Sequence, residues 1–151
     1  MMGRKMRKKD ILLYFIYVPV EKLELISPIQ IMKGLFLIKQ ELKPEDFYEF
    51  EPYLYGPCSF EVYQDLEFLT EERLITTIPS GGRWFYYKIT PLGKNKIKDI
   101  SKTMDEKLAQ GILEIKKLIA GKSVFELLQY VYSKYPEYTK NSIINLEALI
   151  K

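Results

Sequence analysis

The chain has 151 residues, 47% of them hydrophobic, with no histidine and a single cysteine, Cys58. That length predicts one domain with its own core, and a lone cysteine excludes an internal disulfide, as fits a reducing compartment. Without histidine the commonest general base and metal ligand are missing, which argues against an enzyme. The net charge of +3 hides a segregation: residues 1–40 are net +5, 41–80 net −8, 81–122 net +6, and the rest balances. Basic segments around an acidic middle point to charged partners or to self-association.

The first predicted element is a helix from Lys9 to Val18, ended by Pro19. It is apolar nearly all round, so it should be buried. Eight apolar residues at 11–18 are too few to span a bilayer, and no small-residue cleavage site follows them. A cytoplasmic protein without membrane attachment is expected. Ser27-Pro28 supplies a cap and a first-turn proline for a second helix reaching Leu42, with Ile31, Leu35, Ile38 and Leu42 at helical spacing. Residues 48–55 alternate loosely, as a short strand or an extended loop, and Tyr55-Gly56-Pro57 signals a turn. Ser59 is placed to cap a third helix, Phe60 to Arg73, with Val62, Leu66 and Leu69 as its core stripe.

Leu74–Ile78 and Trp84–Ile89 are β-branched and aromatic runs, predicted as two strands joined at Ser80-Gly81-Gly82. Trp84 to Tyr87 should alternate faces, with one pair packed under the following helix. Thr90 caps that helix and Pro91 begins it. Ile97, Ile100, Met104, Leu108, Ile112, Ile115 and Ile119 step by three or four, predicting one long helix almost to Gly121. Ser123 with Glu126 makes a capping box for a helix to about Tyr135, and residues 142–150 form a short last helix.

Three helices and then a hairpin predict an α+β, mainly α, winged helix-turn-helix over residues 1–95. Residues 96–151 form a helical extension. Its apolar seam either packs on the parent domain or makes a homodimer through 97–119.

The stretches QIMKGLFLI (30–38) and FEPYLYGPCS (50–59), with Leu66, Leu69, Leu74 and Ile75, resemble small microbial winged-helix proteins related to the Panacea antitoxin domains. The Tyr55-Gly56-Pro57-Cys58-Ser59 element is the most specific part. Residues 87–93 resemble the wing-to-helix junction of many winged-helix regulators, and 127–136 are similar to a C-terminal motif of the same group. The resemblance implies the fold, and a role as regulator or antitoxin.

A helix-turn-helix places the start of the third helix against DNA, through Phe60, Glu61, Gln64 and Asp65. That helix is acidic, and phosphates repel it. DNA contact is therefore expected from a basic arm, Arg4, Lys5, Arg7, Lys8 and Lys9, and from Arg83 and Lys88 on the wing, with double-stranded DNA as partner. The alternative is a protein-interaction module that meets a basic protein through Glu61, Gln64 and Asp65, with Tyr53 and Tyr55 lining a groove. Against that groove stands a simpler role for the same residues, a sharp Gly-Pro turn under tyrosines that cover the core. Cys58 reads as a structural thiol, since no histidine exists to serve as its base. No phosphate loop or metal-ligand set is present in the sequence, so no cofactor is expected.

Overall fold

A computed structural model describes residues 6–142. The chain is mixed α+β and mainly helical. Helix α1 (Lys8–Tyr17) is buried along most of its length by Ile11, Leu12, Leu13, Phe15 and Ile16. It ends where Pro19 cannot continue it. A buried lysine of a later helix, Lys116, closes that end: its Nζ donates to the carbonyls of Ile16 (2.9 Å) and Val18 (2.7 Å). These are carbonyls that a helix terminus leaves without intrahelical donors.

Helix α2 (Pro28–Leu42) starts as the Ser-Pro signal predicts. The Ser27 hydroxyl accepts from the Gln30 N–H, and the Gln30 side chain accepts from the Ser27 N–H. Two three-residue strands follow, β1 (Glu51–Tyr53) and β2 (Gly56–Cys58), paired antiparallel with Glu51 opposite Cys58. The turn therefore falls at Leu54-Tyr55. Gly56 and Pro57 lie in the second strand, so the turn falls one step earlier than the sequence signal places it.

Helix α3 (Phe60–Glu71) buries Val62, Leu66 and Leu69, as predicted. It ends two residues earlier than expected, because Arg73 turns into the left-handed region at φ 62°. Ser59 precedes the helix but makes no side-chain cap bond. Its N–H points instead to the Met32 sulfur at 3.4 Å.

Strands β3 (Ile75–Pro79) and β4 (Phe85–Ile89) form the second antiparallel hairpin, with Ile75 opposite Ile89 and Pro79 opposite Phe85. Gly81 supplies the positive φ of its turn, 88°. Ile26, between α1 and α2, bridges to Tyr87 by reciprocal backbone bonds of 3.1 and 2.8 Å. Tyr87 and Ile89 pack on the core, whereas Trp84 and Phe85 stay exposed, so no pair of the 84–87 run lies wholly beneath a helix.

The long helix predicted from Pro91 is two helices, α4 (Pro91–Ser101) and α5 (Glu106–Ala120). Asp105 breaks it by accepting from the Leu108 N–H, so it acts as an N-cap rather than as a helical residue. The apolar spacing carries on across the break because Met104 is itself buried. α4 packs on α1, and α5 packs on α2 and α1. Ile97, Ile100, Met104, Ile112, Ile115 and Ile119 are all buried inside the chain. The seam residues at 97–119 thus pack within the chain, with Leu108 only partly buried.

Helix α6 (Val124–Lys134) begins at the predicted Ser123–Glu126 capping box, and a 3₁₀ turn, Pro136–Thr139, follows it. The predicted helix over 142–150 runs outside the described residues. Among the described residues, no helix is long and apolar enough to cross a membrane.

Candidate functional site

The N-terminal ends of α2, α3 and α6, the β1–β2 turn and the second hairpin surround a groove of about 560 Å³. Its lip is aromatic and exposed: Tyr53, Tyr55, Phe60, Tyr63 and Trp84 are each at least 43% accessible. Phe60 stands edge-on to Tyr53, with centroids 5.2 Å apart, and tilts toward Tyr63 at 6.3 Å. Edge-to-face contact is a preferred arrangement of aromatic pairs. The groove is lined by Met32, Lys33 and Cys58 as well, all buried.

Gly56 makes this geometry possible. Its φ is 91°, and a β-carbon there would lie 2.6 Å from the Tyr132 ring of α6. A side chain would be strained by the backbone and would push α6 away from the groove.

Lys33 sits among apolar residues of α2 and is 3% exposed. Its Nζ donates to the Pro57 carbonyl at 3.0 Å. Burial pulls its pKa down from 10.5 to about 8, against the opposing effect of the Cys58 sulfur. Burial pushes the Cys58 thiol up, against the pull of Lys33. A raised thiol pKa keeps Cys58 protonated and poorly nucleophilic, in keeping with a structural thiol. Burial also raises Tyr63.

The predicted site residues separate on inspection. Tyr53 and Tyr55 do line a groove. Glu61 and Asp65 are not free for a partner: Glu61 pairs with Lys8 at 2.6 Å, and Asp65 accepts from the buried Tyr48 hydroxyl at 2.7 Å. Burial and that carboxylate together raise the Tyr48 pKa. Gln64 is exposed, as are Phe60, Tyr63, Glu67, Phe68 and Glu71 on the same helix.

The basic arm is not an arm where it is described. Lys8 and Lys9 form the first turn of α1, and Lys9 Nζ lies over the Phe68 ring, 4.0 Å from its centroid. Such a cation over a ring face is held by the ring quadrupole. The bond to Glu61 raises the Lys8 pKa. Arg7 stands at the N-cap of α1, with Nε 3.6 Å from Asp10. Arg4 and Lys5 lie outside the described residues. Arg83 and Lys88 are exposed on the second hairpin.

Sequence reasoning missed Lys33, Leu54 and Trp84 as groove residues. Lys33 had a legible signal: it is the lone charge in IMKGLFLI, a run in which every residue is buried. No local signal placed Trp84 beside the first hairpin, because the two lie far apart in the chain and meet only at the groove. No protein-family model matches the chain, and no curated protein matches it either.

Proposed function

We propose that the chain is a winged-helix binding module, of the regulator or antitoxin-like kind, that engages a protein partner through α3 and the aromatic lip. The order α1, Ile26 bridge, α2, the β1–β2 hairpin, α3, β3, turn, β4 supports the winged-helix reading, with a short hairpin standing between α2 and α3 and the bridge setting a third strand position beside the second hairpin. One observation carries the partner reading. The outward surface of α3 presents Phe60, Tyr63, Gln64, Glu67 and Phe68, and the helix contains no Lys or Arg. Exposed aromatic rings with acidic neighbours suit a basic protein segment that brings an apolar anchor. The same surface repels phosphates, so α3 is a poor reader of a major groove.

Selection of random peptides on the immobilised chain tests this reading. It should enrich Lys- or Arg-containing sequences with an apolar anchor, whose affinity falls with added salt. Gln64→Lys with Glu67→Lys should weaken the best peptide by about tenfold or more, with an unchanged circular dichroism spectrum. Both residues are exposed, unlike Glu61 and Asp65. Enriched peptides without cations, or an affinity the double variant leaves intact, overturn it.

A second reading has its own support in the exposed Arg83 and Lys88 of the second hairpin, which are placed to hold phosphates as wings do. Fluorescence anisotropy against a random duplex at rising salt separates it. Binding that fades with salt and with Arg83→Ala supports it; no binding at low salt refutes it.

A further inference from the structure

Among the described residues two lysines are almost fully buried, and they differ in their partners. Lys116 is 1% exposed and Lys33 is 3% exposed. Lys116 spends its donors on two carbonyls at the end of α1 and lies beside the Phe15 ring. Its role is to close a helix. Lys33 has three donors and one acceptor, the Pro57 carbonyl. Among the described residues no carboxylate lines its groove. A buried ammonium with unused donors is costly unless something supplies the missing charge. A methionine would fill the same space without that cost. The unused capacity lies at the side of a groove of about 560 Å³, within the range of small-molecule sites.

The walls restrict what fits. Tyr53, Phe60, Tyr63 and Trp84 present rings to the cavity, so a flat aromatic body is favoured over a polar one. One ammonium, with no second cation among the lining residues, suits one negative charge rather than two. We propose that the groove binds a small aromatic monocarboxylate, its carboxylate on Lys33 Nζ and its ring among Tyr53, Phe60, Tyr63 and Trp84. This does not rest on the partner reading of α3.

A pH signature follows. Lys33 loses its proton near pH 8 in the free protein, and a bound carboxylate holds that proton on. Affinity should be level below about pH 8 and fall toward about tenfold per pH unit above it. The other titratable groups facing the groove are Cys58 on β2, Tyr53 on β1, Tyr55 in the turn and Tyr63 on α3. Of these, burial raises Cys58 and Tyr63. α6 and the second hairpin contribute only Val124 and Trp84 to the lining, neither of which titrates.

Trp84 is the only tryptophan, so its emission reports occupancy directly. The protein is titrated with 3-phenylpropionate and with 3-phenylpropionamide, which has the same shape and no charge. The acid should bind at least about tenfold tighter at neutral pH, and the gap should close as pH rises past 8. Lys33→Met should erase the gap while leaving amide binding and the circular dichroism spectrum in place. Acid and amide binding alike in the wild-type chain overturns the proposal without recourse to any variant. So does a gap that survives Lys33→Met or ignores pH. A response confined to a peptide ending in phenylalanine with a free carboxylate also overturns it, since the site would then read a chain terminus.

Discussion

Stability should rise with pH across the neutral range, and Lys116 should carry most of the rise. Burial lowers the folded-state pKa of Lys116 from 10.5 to about 7. The unfolded chain keeps this proton up to its ordinary value, whereas the folded chain gives it up near 7. Folding therefore disfavours the charged form, and stability climbs as pH moves from the lower value toward the upper. Lys33, lowered to about 8, acts in the same direction from a later start. Between about pH 7 and about pH 8.5, linkage bounds the gain at about 2 kcal/mol for Lys116 and about 1 kcal/mol for Lys33. The window ends there because Cys58 and Tyr48 have raised values. Each lowers stability once pH passes its ordinary value, 9.0 for the thiol and 10.0 for the phenol. Urea denaturation followed by circular dichroism at the two pH values measures the slope. Lys116→Met should cut the wild-type gain from at most about 3 kcal/mol to at most about 1 kcal/mol. The variant should also lose stability at the upper pH, where the neutral amine still donates to the Ile16 and Val18 carbonyls. Each carbonyl left unpaired there costs about 1–3 kcal/mol. A wild-type stability that is flat or falls between the two pH values refutes the reasoning, as does a variant with the full slope.

Gly93→Ala should be among the most damaging single changes, because its β-carbon would lie 2.0 Å from the Leu74 carbonyl oxygen. That oxygen is fixed by the Thr90 N–H and hydroxyl, so α4 must shift; a loss of about 3 kcal/mol is expected in urea melts, and under about 1 kcal/mol would refute the contact. Ser27→Ala should cost about 1 kcal/mol, because the Gln30 N–H loses its acceptor. Ser59→Ala, equally buried but without a cap bond, should cost less than half of that in the same melts. Cys58 should react slowly with a thiol-specific disulfide reagent at neutral pH and quickly in urea, because it is buried with a raised pKa. Equal rates folded and unfolded would place the thiol outside the groove floor.

What the sequence made legible was mostly local. Ser27-Pro28, Thr90-Pro91 and the Ser123–Glu126 pair start helices by satisfying their own first-turn donors, and nothing distant changes that. The stripe Val62, Leu66 and Leu69 is legible for a similar reason, since one buried face imposes its own period. The reading failed where two solutions shared a pattern. Ile97 to Ile119 keeps helical spacing whether the helix runs straight or stops at Asp105 and restarts. Spacing alone is blind to the stop, although Asp105-Glu106 is an acidic N-terminal signature that competes with it. Tyr55-Gly56-Pro57 looked like a turn because Gly-Pro usually is one. Here the glycine serves the approach of Tyr132, a residue far along the chain, and the turn slides to Leu54-Tyr55. The groove itself needed five separate elements to meet, and no local pattern encodes such a meeting.

Charge shows the same division between count and placement. As a string, Ser59–Arg73 is strongly acidic and residues 4–9 strongly basic, and they read as two independent surfaces. In the fold they meet: Lys8 neutralises Glu61, Lys9 lies on Phe68, and Asp65 is spent on Tyr48. Glu67, Glu71 and Glu72 remain exposed, on the same segment as the exposed rings of Phe60, Tyr63 and Phe68. The consequence for binding is quantitative in kind. Few net charges remain on the outward face, so salt should modulate affinity there without abolishing it. Most of the affinity should come from burying the rings, with the remaining carboxylates choosing between partners.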